Sequence, residues 1–304
     1  MGEQMMRGGW DLAVERYVTE TGAGEIVRGV PHPALRHGVA GYVGYRTVAR
    51  APVRRRLFPR GVVTILFDWE SPARRPPGGG PVRRGLVVPV SGLHDRVVEF
   101  DQWGRHGGVA VGLTPPAAHA LLGIGLAELS NVRADLGDLL PGTVVASIAE
   151  QLAETSGWSG RFALVDEFLL TALGSRLPEG DTVVRSWSRL ADTRGRLPIA
   201  ALAAESGITT RQLEQRFLRQ VGLSPKLAAR ILRFEHAVTW LVRDATVPMA
   251  RIAHECGYSD QAHFTRDVRS LARTTPTGLR AILRTRVGNT LSSGTGPGQS
   301  GLAS

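Results

Sequence analysis

The sequence predicts an α+β protein in two parts: a β-rich N-terminal half that ends in a helical pair, then an all-α C-terminal unit. Three observations predict it. Between 40 and 115, short valine-rich apolar runs alternate with Gly and Pro. From 115 onward apolar residues recur at helical spacing. In the last third, one short pattern returns after fifty residues.

Within the first part, 1–180, the stretch 10–115 is β-rich and 116–177 helical. "GVVTILFDWE" (61–70), "LVVPVSGL" (86–93) and "RVVEF" (96–100) have the length and β-branched content of strands. "SPARRPPGGGPVRRG" (71–85) is expected to be an exposed loop, since four Pro and a Gly run leave little regular structure available. "PPAAHALLGI" (115–124) opens a short helix. "TVVASIAEQLAET" (143–155) and "WSGRFALVDEFLLTALGSRL" (158–177) form the helical pair, the second with Phe162, Val165, Phe168, Leu169 and Ala172 on one stripe. "PEGD" (178–181) marks the boundary. Residues 181–286 are helical text, and 287–304 form a low-complexity tail expected to be disordered.

Composition narrows the function classes. Cys256 is the single cysteine, so internal disulfides and multi-cysteine zinc sites are excluded, as suits a reducing cytoplasm. Neither a signal-peptide run nor a stretch of about 18 apolar residues occurs, so no membrane partner is expected. Of the net charge of +10, residues 181–286 hold +9, from 18 Arg and Lys against nine Asp and Glu. Such asymmetry points to a polyanionic partner, and the residues are expected to sit at the nucleoid.

The repeat pairs "LPIAALAAESGITTRQLEQRF" (197–217) with "VPMARIAHECGYSDQAHFTRD" (247–267). Pro198 meets Pro248, Ala203 meets Ala253, Glu205 meets Glu255 and Gly207 meets Gly257. Beyond the glycines the apolar residues Leu213 and Phe217 match Phe264 and Val268 after a slip of one residue. Each copy has the grammar of a helix-turn-helix. A proline opens a short helix, a small alanine lets two helices cross closely, and the glycine supplies the positive φ of a sharp turn. Thr209 and Ser259 are expected to cap the following helices, Thr209 with Gln212 as a capping box.

With Leu213 and Phe217 inward, Arg211, Glu214, Gln215 and Arg219 face out. With Phe264, Val268 and Leu271 inward, Ala262, His263, Thr265 and Arg266 face out. Arg, Gln and Thr are side chains that read base edges or hold phosphates. Cys256 reads as a small buried apolar residue. His254 and His263 lie on different helices, so they are not expected to share a metal. Between the copies, Ser224-Pro225 opens a helix carrying Leu227, Ile231, Val238 and Leu241 on one face. About 18 residues of helix span about 27 Å, which suits two reading helices near one DNA turn apart, about 34 Å.

On "LAAESGITTRQLEQRFLRQVGLSPKLAARILRFEHA" and "IAHECGYSDQAHFTRDVRSLARTTPTGLR", residues 181–286 resemble the DNA-binding domain of the AraC/XylS transcription regulators. The resemblance implies two helix-turn-helix units joined by a long helix. The residues it implies at double-stranded DNA are Arg211, Glu214 and Gln215, then Gln261, His263, Thr265 and Arg266; Thr210, Arg219 and Ser259 complete the expected DNA-binding set. Val268 departs from the family's aromatic, and Arg273 from the glycine usual before the "TP" turn. More loosely, "SGLHDR" and "GLTPPAAHALLG" resemble the regulatory half of actinobacterial members. That half implies a small cupin-like β-barrel that binds a small-molecule effector or forms a homodimer; RNA polymerase is a further implied partner.

No catalytic or metal-binding residue is assigned and no cofactor is expected. His32, His37, His94, His106 and His119 are not spaced like a cupin metal motif. Trp69 and Trp103 read as core packing before pocket lining. The rival is a metal-dependent cupin-like enzyme carrying a DNA-binding module. A second rival, an alkylation-repair protein with a similar module, requires cysteine acceptors outside the repeat, and the sequence has none there.

Overall fold

The computed structural model describes residues 13–19, 22–84, 88–174, 180–244 and 246–284. The expected tail at 287–304 lies outside them, as do 175–179 and with them the end expected for the second helix of the pair.

Among the described residues, nine strands form one antiparallel sheet. Its path runs β1 (Ala13–Thr19), β2 (Gly22–Gly29), β3 (Val39–Leu57), β8 (Val98–Leu113), β4 (Val63–Glu70), β7 (Pro89–Ser91) and β9 (Arg133–Asp135). Two short strands, β5 (Ala73–Arg75) and β6 (Arg83–Arg84), pair beside β8. The order is a path with β1 and β9 at its ends; the cupin-like closure implied by resemblance is not a ladder among the described residues.

The strands form where alternation meets β-branched side chains. In β3, Tyr42 faces the helices and Tyr45 the opposite side, as a period of two requires. The stretch 71–85, expected to be a loop, instead contains β5 and β6. Arg74 pairs in register with Gln102 at the far end of β8. That partner is 28 residues away, so local Pro and Gly content carries no sign of it.

One face of the sheet is covered by α2 (Gly142–Glu154) and α3 (Trp158–Leu173). Phe162, Val165 and Leu169 are fully buried, while Phe168 and Ala172 of the expected stripe are half-buried. Gly29 and Gly44 let this helix lie close: a Cβ at Gly44 would stand 2.4 Å from the Trp158 ring. Trp69 lies 5.9 Å from Trp158, with the Arg161 guanidinium 4.3 Å above its ring, so Trp69 is packing. Before α2 comes α1 (Pro115–Leu122), capped by Thr114 and closed by Gly123 at φ 70°.

The helical part contains α4 (Thr182–Asp192), α5 (Ile199–Glu205), α6 (Thr210–Gln220), α7 (Pro225–Arg243), α8 (Met249–Glu255), α9 (Gln261–Ala272) and α10 (Pro276–Arg284). It is not a free appendage. Gly61 N donates to Glu235 at 3.1 Å and Arg60 pairs with the same carboxylate at 3.2 Å. The Phe58 ring lies 6.5 Å from that of Phe234, tilted by 55°, and the Ser130 hydroxyl donates to the Gly222 carbonyl at 2.8 Å. One continuous apolar core runs through both parts.

Candidate nucleic-acid interface

Both repeat copies make the same turn with the same hydrogen bonds. Gly207 N donates to Ala204 O at 3.0 Å and Ile208 N to Ala203 O at 3.1 Å. Fifty residues on, Gly257 N donates to His254 O at 3.0 Å and Tyr258 N to Ala253 O at 3.0 Å. The two glycines have φ of 66° and 74°, a region that costs any side chain. Ala203 and Ala253 are buried at the helix crossings, as their size requires.

The caps differ. Thr209 accepts from Gln212 N at 3.2 Å while Gln212 Oε1 accepts from Thr209 N at 2.9 Å, the expected capping box. In the second copy Ser259 is not the cap. Asp260 holds that position, accepting from His263 N at 2.6 Å, and the exposed Ser259 hydroxyl donates to Asp260 at 3.1 Å. The second turn is one residue longer, so Thr209 corresponds to Asp260, 51 positions on. The slip in the apolar matches carried this already. Hydrogen bonding by His263 N holds the Asp260 carboxyl below its ordinary range.

With Leu213, Phe217, Phe264, Val268 and Leu271 all buried, one exposed stripe remains on each second helix. On α6 it is Arg211, Glu214, Gln215 and Leu218, at i, i+3, i+4 and i+7. On α9 the matching positions, each 51 residues on, are Ala262, Arg266 and Arg269, which are exposed, and Thr265, which is half-buried. The α9 set, with Gln261, lines a shallow depression. Leu218, 45% exposed, and Arg269 were passed over in the sequence reading; their i+7 spacing from Arg211 and Ala262 was the available signal.

The other expected residues distribute around these stripes. Thr210 and Arg219 are exposed on α6, as are Gln261 and Arg266 on α9. His263 is half-buried, its ring edge-on to Tyr258 at 5.2 Å and its Nδ1 3.2 Å from the Ser259 hydroxyl. The Thr265 hydroxyl donates back to Gln261 O at 2.8 Å, which leaves its methyl as the outward group. Thr210, Arg211, Glu214, Gln215, Arg219, Ser259, Gln261 and Arg266 are exposed, whereas His263 and Thr265 are half-buried.

Behind α9 stands the strut. Asp267, 7% exposed, accepts from Arg230 of α7 at 2.8 Å, and Arg233 lies 5.7 Å over the Tyr258 ring. Glu205 pairs with Arg189 of α4 at 2.9 Å, an interhelical role. Cys256 is fully buried, and burial pushes its thiol up to about 12. Among the described residues no group of three or more His, Cys, Asp or Glu side chains is placed to hold a metal ion. His94 and His119 spend Nδ1 on the carbonyls of Gly92 and Ile124.

Residues 202–282 match a family whose description is "Helix-turn-helix domain". They are an AraC-type helix-turn-helix domain. The "Probable bifunctional transcriptional activator/DNA repair enzyme AlkA" of two Mycobacterium tuberculosis strains is 36% identical over 102 residues, 33% of this chain and 20% of that protein. The chain thus spans about a fifth of the length of those relatives. Among solved structures, an apo ToxT variant from Vibrio cholerae is similar at 11% identity and a TM-score of 0.44, covering 80% of this chain and 97% of that one. The AraC-like transcriptional activator CuxR is similar at 11% identity and a TM-score of 0.29, covering 67% and 79%. No helix among the described residues is long and apolar enough to cross a membrane.

Proposed function

We propose that this protein is a sequence-specific transcription regulator in which α6 and α9 of the AraC-type domain read successive major-groove segments of double-stranded DNA. The observation that carries this reading is the pair of exposed stripes at matched positions, one on the second helix of each unit, joined by the rigid α7. Arg266 and Gln215, 51 residues apart, are the corresponding central readers. Arg suits guanine through a bidentate contact, and Gln suits adenine. Arg211, Arg219 and Arg269 serve phosphates or flanking bases, Thr210, Ser259 and Gln261 the backbone at the helix starts, and Glu214 accepts from cytosine. The Thr265 methyl suits thymine, and His263 buttresses Tyr258 more than it reads.

The sheet and its helices, 13–174, form the sensing part of this reading. It takes an effector, and α2 with its exposed Val144 is the surface for a second copy. RNA polymerase is the partner at the promoter. The protein does no chemistry on a substrate; its action is occupancy of DNA.

Genome-wide mapping of bound sites supplies an operator, and Arg266→Ala is then tested on it. Loss of a bidentate base contact costs about 1–3 kcal/mol and relaxes preference at one base pair. Arg219→Ala weakens all sequences alike and lowers the salt slope by about one. Unchanged operator affinity in both Arg266→Ala and Gln215→Ala would overturn the reading.

A further inference from the structure

The exposed stripe of α6 contains one side chain that can make no hydrogen bond. Among Arg211, Glu214, Gln215 and Leu218 only Leu218 is apolar; it is 45% exposed, while Leu213 and Phe217 beside it in the sequence are fully buried. Seven residues turn a helix through about 700°, so Leu218 lies within about 20° of Arg211 and between Glu214 and Gln215 around the axis. A single exposed leucine is ordinary on a protein surface. A leucine in the middle of a polar reading stripe is a different matter.

Two neighbours narrow what it meets. The sheet half docks past the end of the helix, where Gly222 seats on Leu126 and the Arg219 carbonyl stands 3.4 Å from a Cβ built at Gly125. Leu218 keeps its exposure in spite of that contact, so it is not spent on holding the two halves together. The other neighbour is Glu214, exposed one turn earlier on the same side of α6. Phosphate repels a carboxylate, and the matching donor in the major groove is the N4 amino group of cytosine. The edge of α6 that bears Glu214 and Leu218 therefore lies over base edges, and Arg219, on the opposite rim of the stripe, is left for a phosphate.

Positions i, i+3, i+4 and i+7 of a helix set in the major groove are those that reach the bases. Arg211, Glu214, Gln215 and Leu218 hold that spacing. To an apolar side chain the groove offers one specific feature, the C5-methyl group of thymine. In the second unit the matching position is Arg269, a cation, so this preference belongs to the first unit alone.

We infer that Leu218 is a specificity-determining residue of the first unit, selecting thymine by packing its methyl groups on the C5-methyl in the major groove. This rests on the proposed reading of DNA by α6. It also fixes a place in the operator. Leu218 stands three residues beyond Gln215, about 4.5 Å along the axis, so its thymine is about one base pair from the adenine taken by Gln215, on the side away from Arg211.

The test uses the full chain and the mapped operator in anisotropy titrations at one salt concentration. Each thymine of the segment whose preference Gln215→Ala relaxes is replaced in turn by deoxyuridine, which keeps every hydrogen-bonding group and loses only the methyl. At one position the replacement should weaken binding about fourfold, the worth of one buried methyl group. Leu218→Ala should bind the two operators equally there, and Leu218→Met, which keeps an apolar reach, should keep most of the difference. 5-Methylcytosine at that position should bind the parent better than cytosine by a similar factor, and Leu218→Ala no better. Leu218 is exposed and alanine is a strong helix former, so Leu218→Ala should melt with the parent. The inference is overturned if no thymine shows a methyl dependence, or if the dependence persists in Leu218→Ala. It is also overturned if Leu218→Lys binds every sequence more tightly with the salt slope raised by about one, which puts residue 218 over a phosphate. Any of these results beside intact effects of Arg266→Ala and Gln215→Ala sinks this inference alone; absence of those two effects sinks the reading of DNA itself.

Discussion

Gly222 and Gly207 offer a matched pair of substitutions that separates local backbone strain from docking of the two halves. Both sit in the left-handed region, at φ 81° and 66°. An alanine at either carries the same strain, about 1–2 kcal/mol. At Gly207 a Cβ meets nothing within 4 Å, so Gly207→Ala should cost that amount and no more. At Gly222 the Cβ would stand 2.5 Å from the Leu126 carbonyl oxygen and 2.7 Å from the Ser130 hydroxyl, which itself donates to Gly222 O at 2.8 Å. The opposing atom is backbone and has no rotamer to escape into. Relief requires α6 to move off the turn Leu126–Leu129, with loss of the Ser130 hydrogen bond, about 1 kcal/mol more, and of apolar contact around it. Gly222→Ala should therefore lose about 3 kcal/mol or more. At about 2–4 °C per kcal/mol for a chain of this size class, the two variants should differ by several degrees in Tm. Gly222→Ala should also bind DNA less well, because α6 is displaced, whereas Gly207→Ala at matched stability should not. Equal melting temperatures for the two variants would refute the docking of the sheet half against the first unit.

The cap reassignment has a direct measurement: Asp260→Ala should lower stability by about 1 kcal/mol and Ser259→Ala by only a few tenths, while the reverse order restores Ser259 as the cap. The sign with pH follows from the depressed Asp260 carboxyl. Its contribution is fully present above the ordinary carboxylate range and is lost as pH falls through the depressed value, so parent and Asp260→Ala should converge in acid. Arg273 closes α9 at φ 53°, and Arg273→Gly should raise stability by a fraction of a kcal/mol up to about 1, read by urea denaturation. Asp267→Ala leaves Arg230 without its partner at a nearly buried site and should cost about 3 kcal/mol, at the low end for buried pairs because Arg230 keeps some water. Cys256 should resist alkylation at about pH 8 in the folded protein and react promptly in urea, since its thiolate is strongly disfavoured by burial. Prompt labelling of the native protein would place that turn outside the core.

Sequence by itself determined what is written in short-range geometry. Helix-turn-helix units at 199–220 and 249–272, their left-handed glycines, the Thr209 box and the inward positions Leu213, Phe217, Phe264 and Val268 depend on contacts within four residues, and so does the polar stripe opposite them. The longer second turn left a trace in the slip of one residue, but the expected cap was Ser259, and the structure places Asp260 there. Only tertiary structure decided the rest. Pairing of Arg74 with Gln102, the clasp of Asp267 by Arg230 and the seat of Gly222 on Leu126 join residues far apart in the chain. Their partners are chosen by how strands and helices stack, a choice that depends on shape and burial over the whole core and leaves no periodic trace in the residues concerned.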